Sequence, residues 1–174
     1  MVFHNYDKNQ RDAYLCEMET VLLCVGKTAD KNDALQIESY KKRINRYISF
    51  DIIFVLQQKN SKKNKVDFIQ TKEEERLVEK LRPTDKIILL DEKGIQFDSV
   101  GFANKLEKLE HQGFKRLVFI IGGPYGFSTV FKNQFTDHFA LSKMTFSHQM
   151  IRLFFCEQLY RAHTILNNHP YHNT

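Results

Sequence analysis

Short apolar runs of strand length alternate along this chain with segments of helical periodicity, and that alternation constrains the fold more than any other feature. Residues 21–25, 50–56, 86–90 and 116–121 read as strands, the last the most apolar, with 139–141 as a brief fifth. After the first strand, Ala34, Ile37, Tyr40, Lys41, Ile44 and Ile48 trace a helix stripe with a Lys/Arg-rich outer face. Residues 57–70 read as a lysine-rich loop. Thr71 and Glu74 then form a capping-box signal for a helix running to about Leu81, closed by Pro83. The turn Asp91-Glu92-Lys93-Gly94 follows the third strand, Asp98 caps a helix carrying Phe102, Leu106 and Leu109, and Gly113 ends it. A short helix is predicted over 128–134, and Ser147 caps a long final helix carrying Ile151, Phe154, Phe155, Leu159, Ala162, Ile165 and Leu166. Strands separated by helices predict an α/β fold whose mostly parallel sheet is covered on both faces.

With 174 residues, 42% hydrophobic and 13% aromatic, the chain can bury a core in one domain without disulfides or metal. Residues 1–17 are polar and without period, while Met18 stands directly before an apolar run. Residues 1–17 are therefore expected to be a disordered extension or a mis-assigned start, and 18–174 the single domain. Cys16, Cys24 and Cys156 form an odd set with no C-x-x-C pair, which predicts a reducing cytoplasmic setting and no zinc module. The apolar runs are too short to span a bilayer and no signal h-region is present, so a membrane role is not expected. The 26 Lys and Arg against 21 Asp and Glu give +5, and a pI near 9.0 favours a polyanionic partner without naming one.

In an open α/β sheet, ligands bind beyond the carboxyl ends of the strands, which directs attention to the loops after Leu90, Ile121 and Leu141. Gly122, Gly123 and Gly126 allow close backbone approach, but their spacing is neither G-x-G-x-x-G nor G-x-x-x-x-G-K-[ST], and an ordinary turn would also account for them. The loop Leu141, Ser142, Lys143, Met144, Thr145 and Phe146 offers backbone donors, hydroxyls and a thioether. That set suits an adenine ring and a sulfonium better than a triphosphate, although its apolar members could equally plug the core. On the final helix, His148, Arg152, Glu157 and Arg161 are the ionisable residues. Glu157 and Arg161 are four apart and share a face, a spacing that fits a plain surface pair as well as a site. The helix is apolar around much of its circumference, so either a homodimer partner or a central position in the same monomer must cover it. The terminus His169-Pro170-Tyr171-His172 can stack on a base or exchange protons near neutral pH, or can be a merely ordered tail.

Taken in order, five blocks resemble one family: Leu89-Leu-Asp-Glu-Lys-Gly94, Val118-Phe-Ile-Ile-Gly-Gly-Pro-Tyr-Gly126, Leu141-Ser-Lys-Met-Thr-Phe-Ser-His-Gln149, Glu157-Gln-Leu-Tyr-Arg161 and His169-Pro-Tyr-His172. The chain is similar, from about Met18 onward, to the RlmH-type (YbeA-like) large-subunit rRNA methyltransferases of the SPOUT class. That resemblance implies an α/β knot, in which the segment after the fifth strand threads an earlier loop, and a homodimer in which one subunit's tail completes the other's pocket. It implies S-adenosyl-L-methionine as cofactor, held by Leu90, Gly122, Gly123, Leu141, Ser142, Lys143, Met144, Thr145 and Phe146. The reaction it implies is methyl transfer to N3 of a pseudouridine in a 23S rRNA hairpin loop, within the large subunit or the assembled ribosome, with no metal.

The residues the resemblance assigns to catalysis are His148, Glu157, Arg161, Tyr171 and His172, with Arg161 holding the base or its developing charge. Many relatives place a basic residue after the Tyr-His pair, where this chain has Asn173, which puts more of the phosphate contact on the Lys59 to Lys65 loop and on Arg43 and Arg46. Three other readings compete: a knotted methyltransferase acting on another RNA such as tRNA, a non-catalytic RNA-binding protein, and a nucleotide-binding enzyme of ordinary doubly wound fold.

Overall fold

Strands that are apolar on both faces are buried only if helices cover both, and the computed structural model, which describes residues 18–59 and 65–171, has that arrangement. The elements run β1 (Glu19–Val25), α1 (Lys31–Ile44), β2 (Ser49–Val55), α2 (Val66–Val78), β3 (Lys86–Gln96), α3 (Ser99–Glu110), β4 (Arg116–Ile121), α4 (Thr129–Lys132), β5 (His138–Ala140) and α5 (Met150–Leu166). The five strands form one sheet in the order β2-β1-β4-β3-β5, and every pairing is parallel. The expected α/β class with a parallel sheet is thus observed.

β4 is buried along its whole length, as its composition predicts. Leu22, Phe119 and Ile88 face one layer with Ile37, Ile44, Phe102, Leu106, Phe155 and Leu159, from α1, α3 and α5. Val21, Leu23, Val118 and Leu89 face the other with Leu77 of α2 and Phe131 of α4. α5 packs between α1 and α3, so much of its apolar circumference is buried within its own chain. Phe154, Met150 and Met144 of the α5 face and the preceding loop remain exposed.

Four local expectations are corrected. The third strand does not end at Leu90: it continues to Gln96, with a register shift against β5 between Leu90 and Ile95. The segment 91–94 keeps turn chemistry inside the strand, since Asp91 Oδ1 accepts the Lys93 N–H at 2.9 Å. Gly94 is required there because a β-carbon would lie 2.5 Å from the backbone of His138. The helix expected to be capped at Thr71 starts at Val66 instead, driven by the buried stripe Ile69, Glu73 and Leu77 at four-residue spacing. Thr71 sits inside it, its hydroxyl donating to Asp67 O at 2.8 Å. The fifth strand covers 138–140 rather than 139–141. Finally, α5 begins at Met150, although Ser147 still serves its first turn, with Oγ accepting the Met150 N–H at 3.2 Å and O accepting the Ile151 N–H at 3.1 Å.

Residues 1–17, Lys62 and Lys63 of the lysine segment, and His172, Asn173 and Thr174 lie outside the described residues. No described helix is long and apolar enough to cross a membrane. Among the described cysteines, Cys24 and Cys156 are buried and free.

Candidate functional site

The middle of β3, at Leu90 to Glu92, and the carboxyl ends of β4 and β5 open into a cleft of about 630 Å³, the size of a small-molecule site. Of the expected cofactor residues, Leu90, Gly122, Gly123, Leu141, Ser142, Met144, Thr145 and Phe146 line it, as does His148. Lys143 does not line it. Asp91, Glu92, Tyr125, Phe127, Lys132, Ser147 and Ile151 also line the wall and are not among the site residues expected from the sequence. Position in the loop expected after Leu90 is the sequence signal for Asp91.

Local chemistry shapes each side of the cleft. Gly126 N–H donates to Gly123 O at 3.0 Å, closing a tight turn with Gly126 at φ +64. Ser128 caps α4 through its hydroxyl, which accepts the Phe131 N–H at 3.1 Å. In the other loop, Ser142 Oγ accepts the Met144 N–H at 2.9 Å, and Phe146 meets Phe154 edge-on at 5.0 Å.

Three charged side chains, Asp91, Glu92 and Lys132, line the cleft. Lys132 forms an ion pair with Asp91. Burial works against the Asp91 charge, but the Lys132 and Lys93 hydrogen bonds and the Lys132 charge hold its pKa below the usual carboxylate value. Burial, then the nearby Arg152 charge, pull the His148 pKa down. His148 is therefore a neutral imidazole at pH 7, able to accept a proton. Arg152 is itself 1% exposed and bonds Val25 O at 2.6 Å, Thr28 Oγ1 at 3.2 Å and Gln149 Oε1 at 3.3 Å. It ties the end of β1 to α5 and is not accessible to a ligand.

Glu157, Arg161 and Tyr171 gather elsewhere. Arg161 donates to Glu157 Oε1 through Nε at 3.0 Å and Nη2 at 2.5 Å, and its guanidinium stacks 4.8 Å from the Tyr171 ring centre. Tyr171 Oη donates to Glu157 Oε1 at 3.2 Å. Burial, a hydrogen bond with Tyr40 and the Glu157 carboxylate push the Tyr171 phenol up to about 12. It remains a donor, not a base, at any physiological pH. Tyr160 packs edge-on against Tyr171 at 4.9 Å, and Arg43 lies over the Tyr40 and Tyr160 rings at 5.5 and 5.8 Å. Tyr40 and Tyr160 thus join a cluster that sequence spacing reduced to one ion pair.

The cleft and the cluster are separate within one chain. Arg161 follows Ile151, the last cleft residue on α5, by ten positions, a rise of about 15 Å along the helix. Among the described residues no group of three or more His, Cys, Asp or Glu is placed to hold a metal ion.

The chain matches the model of the family described as predicted SPOUT methyltransferase over residues 18–172. It is 50% identical to the ribosomal RNA large subunit methyltransferase H of Flavobacterium psychrophilum, covering 90% of this chain and 99% of that protein. Its identity to the protein of the same name from Phocaeicola vulgatus is 49%, with the same coverage. Among solved structures it is similar to a probable methylase family protein from Haemophilus influenzae, with TM-score 0.48 and 12% identity over 92% of this chain and 72% of that one.

Proposed function

The chain belongs to the SPOUT methyltransferase family, and from that premise we propose that it transfers a methyl group from S-adenosyl-L-methionine to N3 of a pseudouridine in 23S rRNA. The enzyme class is that of the rRNA methyltransferases it is half identical to. The observation that carries the cofactor reading is the convergence of Leu90, Gly122, Gly123 and most of the 141–146 loop on one cleft.

The residues present fit this cofactor. Leu90, Ile121, Phe139, Leu141, Phe146 and Ile151 give an apolar wall for an adenine ring, while the two glycines let backbone groups approach. The single lysine on the wall, Lys132, is already paired with Asp91, an arrangement ill suited to gripping a triphosphate. When bound, the cofactor supplies an electrophilic methyl on a sulfonium.

The chain's own residues must then hold the base and dispose of its N3 proton. Arg161 supplies a fixed positive charge that favours the deprotonated base, and Glu157 and Tyr171 fix the plane of its guanidinium. His148 is on the cleft wall with its Nε2 accepting from Gln149 Nε2 at 3.1 Å, so it would take up a proton only by giving up that hydrogen bond. His172, outside the described residues, keeps the role the resemblance gives it.

About 15 Å along α5 is too far for one chain to bring Arg161 and the cleft to the same methyl group. We therefore read the active form as a homodimer in which the Arg161 cluster of one copy faces the cleft of the other. The exposed Met144, Met150 and Phe154 provide apolar surface for that pairing. A topological knot formed by the segment after β5 belongs to the same proposal.

Two measurements test the reading. Calorimetry with S-adenosylhomocysteine gives one-to-one binding per chain if the cleft holds the cofactor, whereas binding of ATP or NAD alone would support an ordinary nucleotide enzyme. Mass-spectrometric mapping of rRNA from cells lacking the gene shows loss of the methyl group at one 23S pseudouridine. An unchanged 23S rRNA together with a methyl group lost from tRNA would overturn the substrate assignment.

A further inference from the structure

One face of α2 supports the glycine loop from behind. Gln70, Glu73 and Glu74 stand at i, i+3 and i+4 and so project from the same side of the helix. Gln70 Nε2 donates to Tyr125 O at 2.9 Å. Glu74 accepts from the Ser128 N–H at 2.6 Å and from its hydroxyl at 2.9 Å. Between these two anchors, Glu73 lies against Gly123.

Glu73 is an unusual residue to find there. It is 2% exposed. Its Oε1 accepts the Gln58 N–H at 3.0 Å, and its Oε2 has no hydrogen-bond partner among the described residues. Burying a carboxyl oxygen without a partner is costly, so the group needs a reason to be retained.

Gly123 supplies the reason. A β-carbon at Gly123 would lie 2.2 Å from Glu73 Oε2 and 3.0 Å from its Cδ. The carboxyl thus fills the volume that a side chain at 123 would occupy. It cannot simply swing aside, because the Gln58 tether is itself held: Gln58 Oε1 accepts from Arg76 Nη2 at 2.8 Å, and Arg76 Nη1 donates to Leu56 O at 2.9 Å.

We propose that Glu73 is a positioning residue for the cofactor loop: its carboxyl fits the notch left by the missing Gly123 side chain and, between the Gln70 and Glu74 anchors, fixes where Gly122 and Gly123 line the cleft. This rests on the reading that the cleft binds S-adenosylmethionine. Glu73 does not line the cleft itself and acts only through the loop.

The test compares S-adenosylhomocysteine affinity and Tm in the full-length protein and in Glu73→Gln, Glu73→Ala, Gly123→Ala and Gly123→Ala/Glu73→Ser. Glu73→Gln keeps the shape and is expected to bind within about twofold of the parent, whereas Glu73→Ala and Gly123→Ala each lose about tenfold. Adding Glu73→Ser to Gly123→Ala vacates the notch and is expected to recover most of that loss. Such recovery is a signature that two merely destabilising changes do not produce, since independent losses add. A double variant that binds no better than Gly123→Ala, or folded Glu73 variants that all bind like the parent, would overturn the proposal and leave the cofactor reading standing. If Glu73→Ala does not fold, the Gly123→Ala pair decides alone. Failure of the parent protein to bind S-adenosylhomocysteine would overturn both.

Discussion

The two ends of α5 solve different problems with different materials. At its start, the cleft is a concavity built largely from backbone, glycine and apolar side chains, with its lysine paired to Asp91. At its other end, Glu157, Arg161, Tyr171, Tyr40 and Tyr160 form a side-chain network with little backbone in it. The first arrangement offers a shaped concavity to a ligand; the second presents a charge already oriented by its neighbours. On the proposed function, holding a cofactor and steering a base are separated along one helix.

The largest effect expected of this division is on turnover. Arg161→Ala should lower methyl transfer by about a thousandfold while leaving S-adenosylhomocysteine affinity unchanged. A parallel loss of affinity would show that the two regions are not independent.

Mixed dimers sharpen the same contrast. Arg161→Ala and Ser142→Trp, which fills the cleft, are each expected to be inactive alone. Mixed in equal amounts with subunit exchange, half the dimers are heterodimers carrying one intact composite site, so about a quarter of full activity returns. If both partners of a site came from one chain, no activity would return.

The cluster end should also be the pH-sensitive end. His163, one turn from the tail, is buried and stacked 6.3 Å from Tyr47, and burial pulls its pKa down to about 4. Its folded pKa lies below the unfolded value near 6.5, so the folded state favours the neutral ring. The corresponding stability, at most roughly 3 kcal/mol because Glu110 Oε1 lies 4.0 Å from His163 Nε2 and favours the protonated ring, is fully present above pH 6.5 and lost as pH falls toward 4. Urea unfolding at pH 7 and pH 4 measures it, and the same loss in His163→Phe would assign it to another group.

At the cleft end the smallest change is expected from Ser147→Ala, which removes the hydroxyl serving the first turn of α5 and costs about 1 kcal/mol. Thermal melts read it directly. A loss of several kcal/mol would mean that Ser147 holds more than the helix start.

Fold class was legible because the strands are apolar on both faces and separated by helical stripes: β1, β4 and α5 carry those patterns without interruption. What was not legible was tertiary in origin. Thr71 and Glu74 have capping-box spacing, yet Glu74 is spent on Ser128, fifty-four residues away, and the helix starts earlier because Ile69 and Leu77 are buried. Asp91 looks like a turn residue, and only the register shift against β5 keeps it within a strand on the cleft wall. The site was legible in the same uneven way. Loop positions at strand ends follow from topology, whereas Tyr40, from another helix, enters the Tyr171 cluster through packing that no local spacing encodes.

The strand order β2-β1-β4-β3-β5 also sets how the molecule comes into being. β1 with β2 and β3 with β4 are pairs of consecutive strands, but β1 with β4 and β3 with β5 are not, so the sheet is completed only by pairings that reach across intervening strands. β1 must wait for β4 on one side, and β3 must wait for β5, three residues long. Such non-local pairing makes folding slow. The loops that form the cleft are closed by the last of these steps, so a ligand bound there stabilises the finished topology and no earlier stage.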